Sequence, residues 1–302
     1  MKKVTVAGGG VLGSQIAIQN AMKGNDTTIW LRSEASIGRA KPRLESAYEA
    51  IARDIDLGEK NPAYAPDGLR EADGSFNAEK ARAELEAAKK NLKIELDLAK
   101  AVKDADIVIE CVSEDPQDKE QFYKELAPLL DKKTILLTNS SSLLPSMFAG
   151  LTGDPSKYMA LHFANHIWRN NLAEAMAQPK TDPKVFEEVM DYARSIGMDP
   201  VAVRKEKGGY LLNSMLIPLL NSAMDLYVTG TGSVQDIDEA WRKGTGAPVG
   251  PFQILDIVGL KTAYNIVSQL AKMPEEIAPY HFKDIAKTLA DMIEKGETFY
   301  PQ

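Results

Sequence analysis

The chain has 302 residues, 44% hydrophobic and 26% charged, with a net charge of -7. That suits a globular protein of about two domains and argues against a nucleic-acid surface, which needs a basic stripe. The single cysteine, Cys111, excludes a disulfide framework within the chain, no apolar run reaches membrane-spanning length, and residues 1–10 already read as a strand rather than a leader; the expectation is a cytoplasmic protein with neither nucleic-acid nor membrane partners.

Val4, Val6 and Ala7 form a short apolar, β-branched run that predicts a strand. Gly8, Gly10 and Gly13 follow as G-x-G-x-x-G, and Ile16, Ala17, Asn20, Ala21 and Gly24 then fall at helical spacing. Strand, glycine turn and helix in that order predict a dinucleotide site, although a plain βα turn has the same outline. Gly8 permits the turn, Gly10 lets a pyrophosphate approach the backbone, and Gly13 lets helix and strand pack closely. Val11 and Leu12 open the helix, whose first N–H groups and positive dipole end would face the phosphates.

A second strand reads from Thr27 to Leu31. Its end is where a carboxylate for the ribose 2′-hydroxyl usually stands. Here Leu31 is followed by Arg32 and Ser33, which suit a 2′-phosphate and predict NADP over NAD; the alternative gives the carboxylate role to Glu34. Residues 35 to 93 read as two helices around a loop at Asn61–Gly74, standing off the sheet, with Lys60, Lys89, Lys90 and Lys93 on a solvated face.

Strands then alternate with helices. IVIEC (107–111), TILLT (134–138), YMALHF (158–163), NLAEAMA (171–177) and PVAVR (200–204) read as strands, and a helix carries Lys119, Phe122 and Leu126. Cys111 reads as a buried strand residue. The alternation predicts an α/β fold with a doubly wound, mostly parallel sheet. Beyond Arg204 no strand is expected. An apolar helix with Leu211, Met215, Leu216, Leu219, Leu220 and Met224 precedes helices at 234–243, 249–258, 260–272 and 283–295. The boundary falls between a dinucleotide-binding domain, 1–205, and an all-helical domain, 206–302.

Polar groups recur at the strand ends: Glu114 after IVIEC, Asn139 to Ser142 after TILLT, His162 in YMALHF, and Glu174 in the strand after it. Ligands of open α/β sheets sit outside the carboxyl ends of strands, so these groups could share one crevice. A histidine with a carboxylate is an acid–base pair, and a serine hydroxyl can hold a substrate oxygen. Singly, each has a plainer reading: helix-capping serines, a core histidine, a surface glutamate.

Taken together, VAGGGVLGSQIA, DADIVIECVSED, TNSSSL, HFAN, LAE, KEKGGYLLNSMLIPLLN and GTGAPVGPFQILDIVGL resemble the 3-hydroxyacyl-CoA dehydrogenases nearly end to end. The resemblance implies hydride transfer between a nicotinamide cofactor and the 3-position of a 3-hydroxyacyl-CoA. It makes His162 the catalytic base and Glu174 its orienting partner. Ser141 and Asn213 would bind the 3-oxygen, and Glu114, Lys119 and Asn139 would line the cofactor site. A homodimer held by the helical domain is implied as well.

The chain departs from that family in places. The family usually reads H-F-F-N-P around the histidine; here Ala164 and His166 stand instead, followed by Trp168, Arg169, Asn170 and Asn171. These residues are expected to face the acyl pocket and to favour short or polar substrates. The tail MIEKGETFYPQ lacks a Gly-, Lys- and Arg-rich loop, and the segment 53–93 looks longer than usual. Two further readings stand beside the first: a reductase of a free 3-oxo or dioxo acid or a sugar acid, and a non-catalytic relative that binds cofactor or serves as a structural protein.

Overall fold

The computed structural model describes residues 1–300. The chain divides into two compact units, Met1–Leu211 and Leu212 onward. The first contains β1 (Lys3–Ala7), α1 (Val11–Met22), β2 (Asp26–Trp30), α2 (Glu34–Lys60), α3 (Ala78–Asn91), β3 (Lys93–Glu95), α4 (Leu98–Val102), β4 (Ile107–Glu110), α5 (Pro116–Leu126), β5 (Ile135–Thr138), β6 (Tyr158–Phe163), β7 (Leu172–Ala177), α6 (Pro183–Ser195) and β8 (Asp199–Val203).

All eight strands form one sheet in the order β3-β2-β1-β4-β5-β6-β7-β8. β1 to β6 run parallel; β7 pairs antiparallel with β6, and β8 lies parallel to β7. The mostly parallel, doubly wound α/β expectation holds. Strand side chains alternate between two buried layers. Val4, Val6, Ile107 and Ile109 pack under α1, α2 and α6, whereas Ala7, Val108, Leu136 and Tyr158 pack under α4 and α5. The chain reverses direction across the sheet between β1 and β4, so the crevice outside those two strand ends is the topological switch point.

Four sequence expectations need correction. The second helix of the stretch read as helical to residue 93 ends at Asn91, and Lys93 instead opens an edge strand, Lys93–Glu95, paired with β2; three residues are too few to show period-2 alternation. β4 ends at Glu110, so Glu114 lies in the loop beyond a strand rather than at its end. Cys111 is likewise one residue past β4 and only partly covered, and its backbone abuts the glycine turn. The helical pair α2 and α3 does not stand off: Leu44, Ile51, Ile55 and Leu85 are buried in the main core, because both helices carry an apolar stripe that packs on α1.

The second unit contains α7 (Leu212–Val228), α8 (Val234–Thr245), α9 (Pro251–Val258), α10 (Leu260–Leu270) and α11 (Phe282–Lys295), around Met224, Phe252, Ile285 and Leu289. Among the described residues it has no strand, as expected. Buried Asp238 explains its glycine–proline segment. The carboxylate accepts from the N–H groups of Phe252 and Gln253 and so caps α9, and a Cβ on Gly250 would collide with it. Asp256 accepts from the Phe299 and Tyr300 N–H groups, which ties down the short tail. No helix among the described residues is long and apolar enough to cross a membrane.

Candidate active site

The glycine turn separates three requirements. A Cβ on Gly8, whose φ is +128°, would overlap the carbonyl oxygen of Cys111, and one on Gly13 would overlap the carbonyl oxygen of Gly8. Those glycines let β1, β4 and α1 close on one another. Gly10 differs: nothing lies within 4 Å of where its Cβ would be. It also starts α1 without a side-chain cap, which leaves the first-turn N–H groups at Val11 and Leu12 to a ligand or solvent. The structure therefore fits a pyrophosphate at the expected place.

Beside this turn is a cavity of about 460 Å³, lined in part by Gly9, Gly10, Leu31, Arg32, Arg39 and Arg43, and by no acidic residue. Leu31 is buried at the position of the usual ribose carboxylate. The Arg32 guanidinium is largely exposed, 4.0 Å from Asp118. Ser33 precedes α2, and its hydroxyl lies 3.1 Å from that of Ser36, which accepts from Arg39 at 2.9 Å. Arg43 donates to the Gly9 carbonyl at 3.1 Å. Sequence reasoning found Arg32 and Ser33 but missed Ser36, Arg39 and Arg43, although spacings of three and four residues put those on one helix face.

The antiparallel register of β6 and β7 pairs His162 directly with Glu174. Both are buried, and Nδ1 lies 3.0 Å from Glu174 Oε2. The carboxylate favours the tautomer with hydrogen on Nδ1, which leaves Nε2 as an acceptor. Ser141 Oγ lies 3.1 Å from that Nε2. The structure thus brings Ser141, His162 and Glu174 into one line. The ring of Tyr210 stacks on His162 at 4.5 Å between centroids; sequence reasoning missed it. Asn213 lies in the first turn of α7, in the second unit.

Glu114 organises the serine loop. Its Oε1 accepts from Ser140 Oγ at 2.5 Å and from the Ser142 N–H and hydroxyl, each at 2.9 Å. Burial pushes this carboxyl up, but those hydrogen bonds and the Lys119 ammonium outweigh it and hold it below the usual carboxylate range. Lys119 does not open onto the site as a free cation. It is fully buried, 2.7 Å from Glu110 and 3.8 Å from Glu114. Glu110 was missed because an acid inside the apolar run IVIEC looks like an interruption. Its second oxygen accepts from Tyr123 and Thr138, so the buried charge is paired and fully hydrogen-bonded. The Asn139 carboxamide oxygen accepts from the Phe163 N–H, joining the ends of β5 and β6.

The segment after His162 also needs correction. Trp168 does not line a pocket; it is buried in the core, its indole N–H donating to Asp54 of α2 at 2.6 Å. Arg169 forms a bidentate pair with the same carboxylate. A buried carboxylate requires such partners, and these two residues supply them. The backbone N–H that His166 offers where a proline would offer none donates to Gln15 Oε1 at 2.7 Å, with His166 in the left-handed region at φ +56°. Burial and the nearby Arg169 push the His166 imidazole below its ordinary value.

Residues 3–207 match the 3-hydroxyacyl-CoA dehydrogenase NAD binding domain, and residues 209–299 match the C-terminal domain of the same family. The human mitochondrial hydroxyacyl-coenzyme A dehydrogenase is 31% identical over 91% of this chain and 82% of its own length. A 3-hydroxybutyryl-CoA dehydrogenase of Clostridioides difficile is 29% identical over 89% of this chain and 86% of its own. A solved diketoreductase, described as acting on dicarbonyl compounds, is 42% identical, with a TM-score of 0.81 over 100% of this chain and 99% of its own. With both family domains matched in order, and the glycine turn and the His162 line lying in the first of them, the chain belongs to the 3-hydroxyacyl-CoA dehydrogenase family of oxidoreductases, with a binding domain for a nicotinamide cofactor.

Proposed function

We propose that the protein moves a hydride reversibly between a nicotinamide cofactor, NADPH in preference to NADH, and the 3-position of a short 3-hydroxyacyl-CoA. The observation that carries this reading is the Ser141–His162–Glu174 line. The bound cofactor supplies the hydride acceptor or donor. In the oxidative direction His162 Nε2 takes the hydroxyl proton of the substrate, and in reduction the imidazolium returns it. Glu174 holds the imidazole and offsets its charge, and Ser141 holds the oxygen on which charge develops. Glu114, braced by Lys119, keeps the Ser140–Ser142 loop in place beside the cofactor. The arginines at the cavity, whose lining holds no acidic residue, support the choice of NADPH.

The likeness to a diketoreductase favours a second reading, reduction of a free 3-oxo or dioxo acid with the same residues. With Trp168 and Arg169 turned to Asp54, the preference for short substrates rests on Ala164 and His166. The test is NADPH oxidation with acetoacetyl-CoA, longer 3-oxoacyl-CoA thioesters and a free 3,5-dioxo acid. Fastest turnover of acetoacetyl-CoA supports the first reading. Turnover of the free acid alone supports the second. A kcat/KM that rises steadily from four to twelve carbons overturns the short-chain preference, and no turnover of any of them leaves a cofactor-binding protein.

A further inference from the structure

The last residues of the first unit are held in an unusual conformation. Gly209 and Tyr210 are successive left-handed residues, at φ +80° and +50°, and a side chain other than glycine's adopts that region only at a cost. Three consecutive residues thereby reach the whole polar line. The Gly209 N–H donates to the Ser141 carbonyl at 3.1 Å. The Tyr210 ring lies 12° from parallel with the His162 imidazole. The Leu211 N–H donates to Glu174 Oε1 at 2.8 Å. The Tyr210 hydroxyl, buried and therefore un-ionised, donates to the Ser140 carbonyl at 2.8 Å.

We infer that Tyr210 is a positioning residue for the reaction: its ring face fixes the plane of the His162 imidazole so that Nε2 stays on the Ser141 side while Nδ1 stays on Glu174. The contacts with Glu174 at Nδ1 and Ser141 at Nε2 do not do this alone, because both lie in the ring plane and leave the ring free to tilt about the line that joins them. The parallel face removes that tilt, and the hydroxyl anchors the ring to the residue before Ser141. A packing role alone would need only the apolar contacts of Tyr210 with Ala160, Met176 and Val203. The inference rests on His162 being the acid–base residue.

The experiment compares Tyr210→Phe, which keeps the ring, with Tyr210→Leu, which keeps only apolar fill. With acetoacetyl-CoA or a free 3,5-dioxo acid, whichever is turned over, Tyr210→Leu is expected to lower kcat about tenfold or more, with KM and cofactor Kd within about twofold. Tyr210→Phe is expected to stay within about threefold of the parent. The chain has three histidines, so the His162 ring signals are assignable by NMR. They should carry the ring-current shift of a stacked neighbour in the parent and in Tyr210→Phe, and lose it in Tyr210→Leu. Equal kcat loss in both variants, or full kcat in Tyr210→Leu, overturns the inference. In a His162→Ala background Tyr210→Leu should cost nothing further. If His162→Ala itself retains activity, the acid–base reading fails whatever Tyr210 does; if it is inactive while Tyr210→Leu is fully active, only the inference about Tyr210 falls.

Discussion

The His162–Glu174 pair and the arginine rim at the start of α2 are both clusters of charge at the carboxyl edge of one sheet, built in opposite ways. The pair is buried, its members face each other through strand register, and hydrogen bonds and a stacked ring hold it from several sides. The rim consists of long side chains lining an open cavity, Arg39 and Arg43 from α2 and the largely solvated Arg32 from the loop before it. A group that must pass a proton needs preorganisation, since small displacements cost rate. A group that holds an anion needs charge and reach, and tolerates motion. Damage should therefore be steep at the first site and graded at the second.

The steepest expected effect is at the pair. His162→Ala should lower kcat by about 10²–10⁴-fold while NADPH binding, followed by fluorescence, stays near normal. A variant that keeps most of its kcat would make the buried pair merely structural and erase the contrast. The rim should respond by degrees. Arg39→Ala should raise the KM for NADPH about tenfold and leave that for NADH nearly unchanged. Arg32→Ala should do less, because an exposed, screened charge contributes less. Equal losses with both cofactors would mean that the rim reads no 2′-phosphate.

The smallest effect concerns Glu114, which stands between the two regions. Its folded-state carboxyl is held below its ordinary value of 4.5. Its contribution to stability is therefore complete above about pH 4.5 and lost as pH falls through the lower folded value. Glu114→Gln should flatten the acid limb of a plot of melting temperature against pH and leave the neutral region almost unaffected. Parallel acid limbs in the parent and the variant would show that the loop does not depend on this carboxylate.

The legible parts of the molecule were those with a period or a spacing. The glycine turn, the apolar strands and the helices of the second unit could be read because each requires a residue type at a fixed interval. His162 and Glu174 could be nominated from strand ends, but their contact comes from a pairing between strands that run in opposite directions, which the sequence does not announce. Glu110 and Lys119 were obscured because burying a charge contradicts the pattern that reveals strands. Trp168 and Arg169 were misread because Asp54, their partner, lies more than a hundred positions earlier. Tyr210 was hidden by its backbone, since nothing in the letters G-G-Y-L calls for a left-handed tyrosine.

The clasp of Trp168 and Arg169 on Asp54 has a consequence for which lengths of α2 this protein can accept. Arg39 and Asp54 stand on the same helix, which runs on through Pro42, fifteen positions apart, or about 22 Å along its axis. The first turns of that rod carry the cavity-side arginines, and its last two turns grip the segment that leaves the histidine strand. α2 thus works as a ruler between two parts of the catalytic unit. Removing one residue between those marks would shorten it by only about 1.5 Å but would turn Asp54 through about 100°, aiming the carboxylate away from both of its partners. Apart from the cavity-side Arg39 and Arg43, point substitutions along the solvated face of this span should be harmless, whereas insertions and deletions there should be rejected unless they come in near-whole turns.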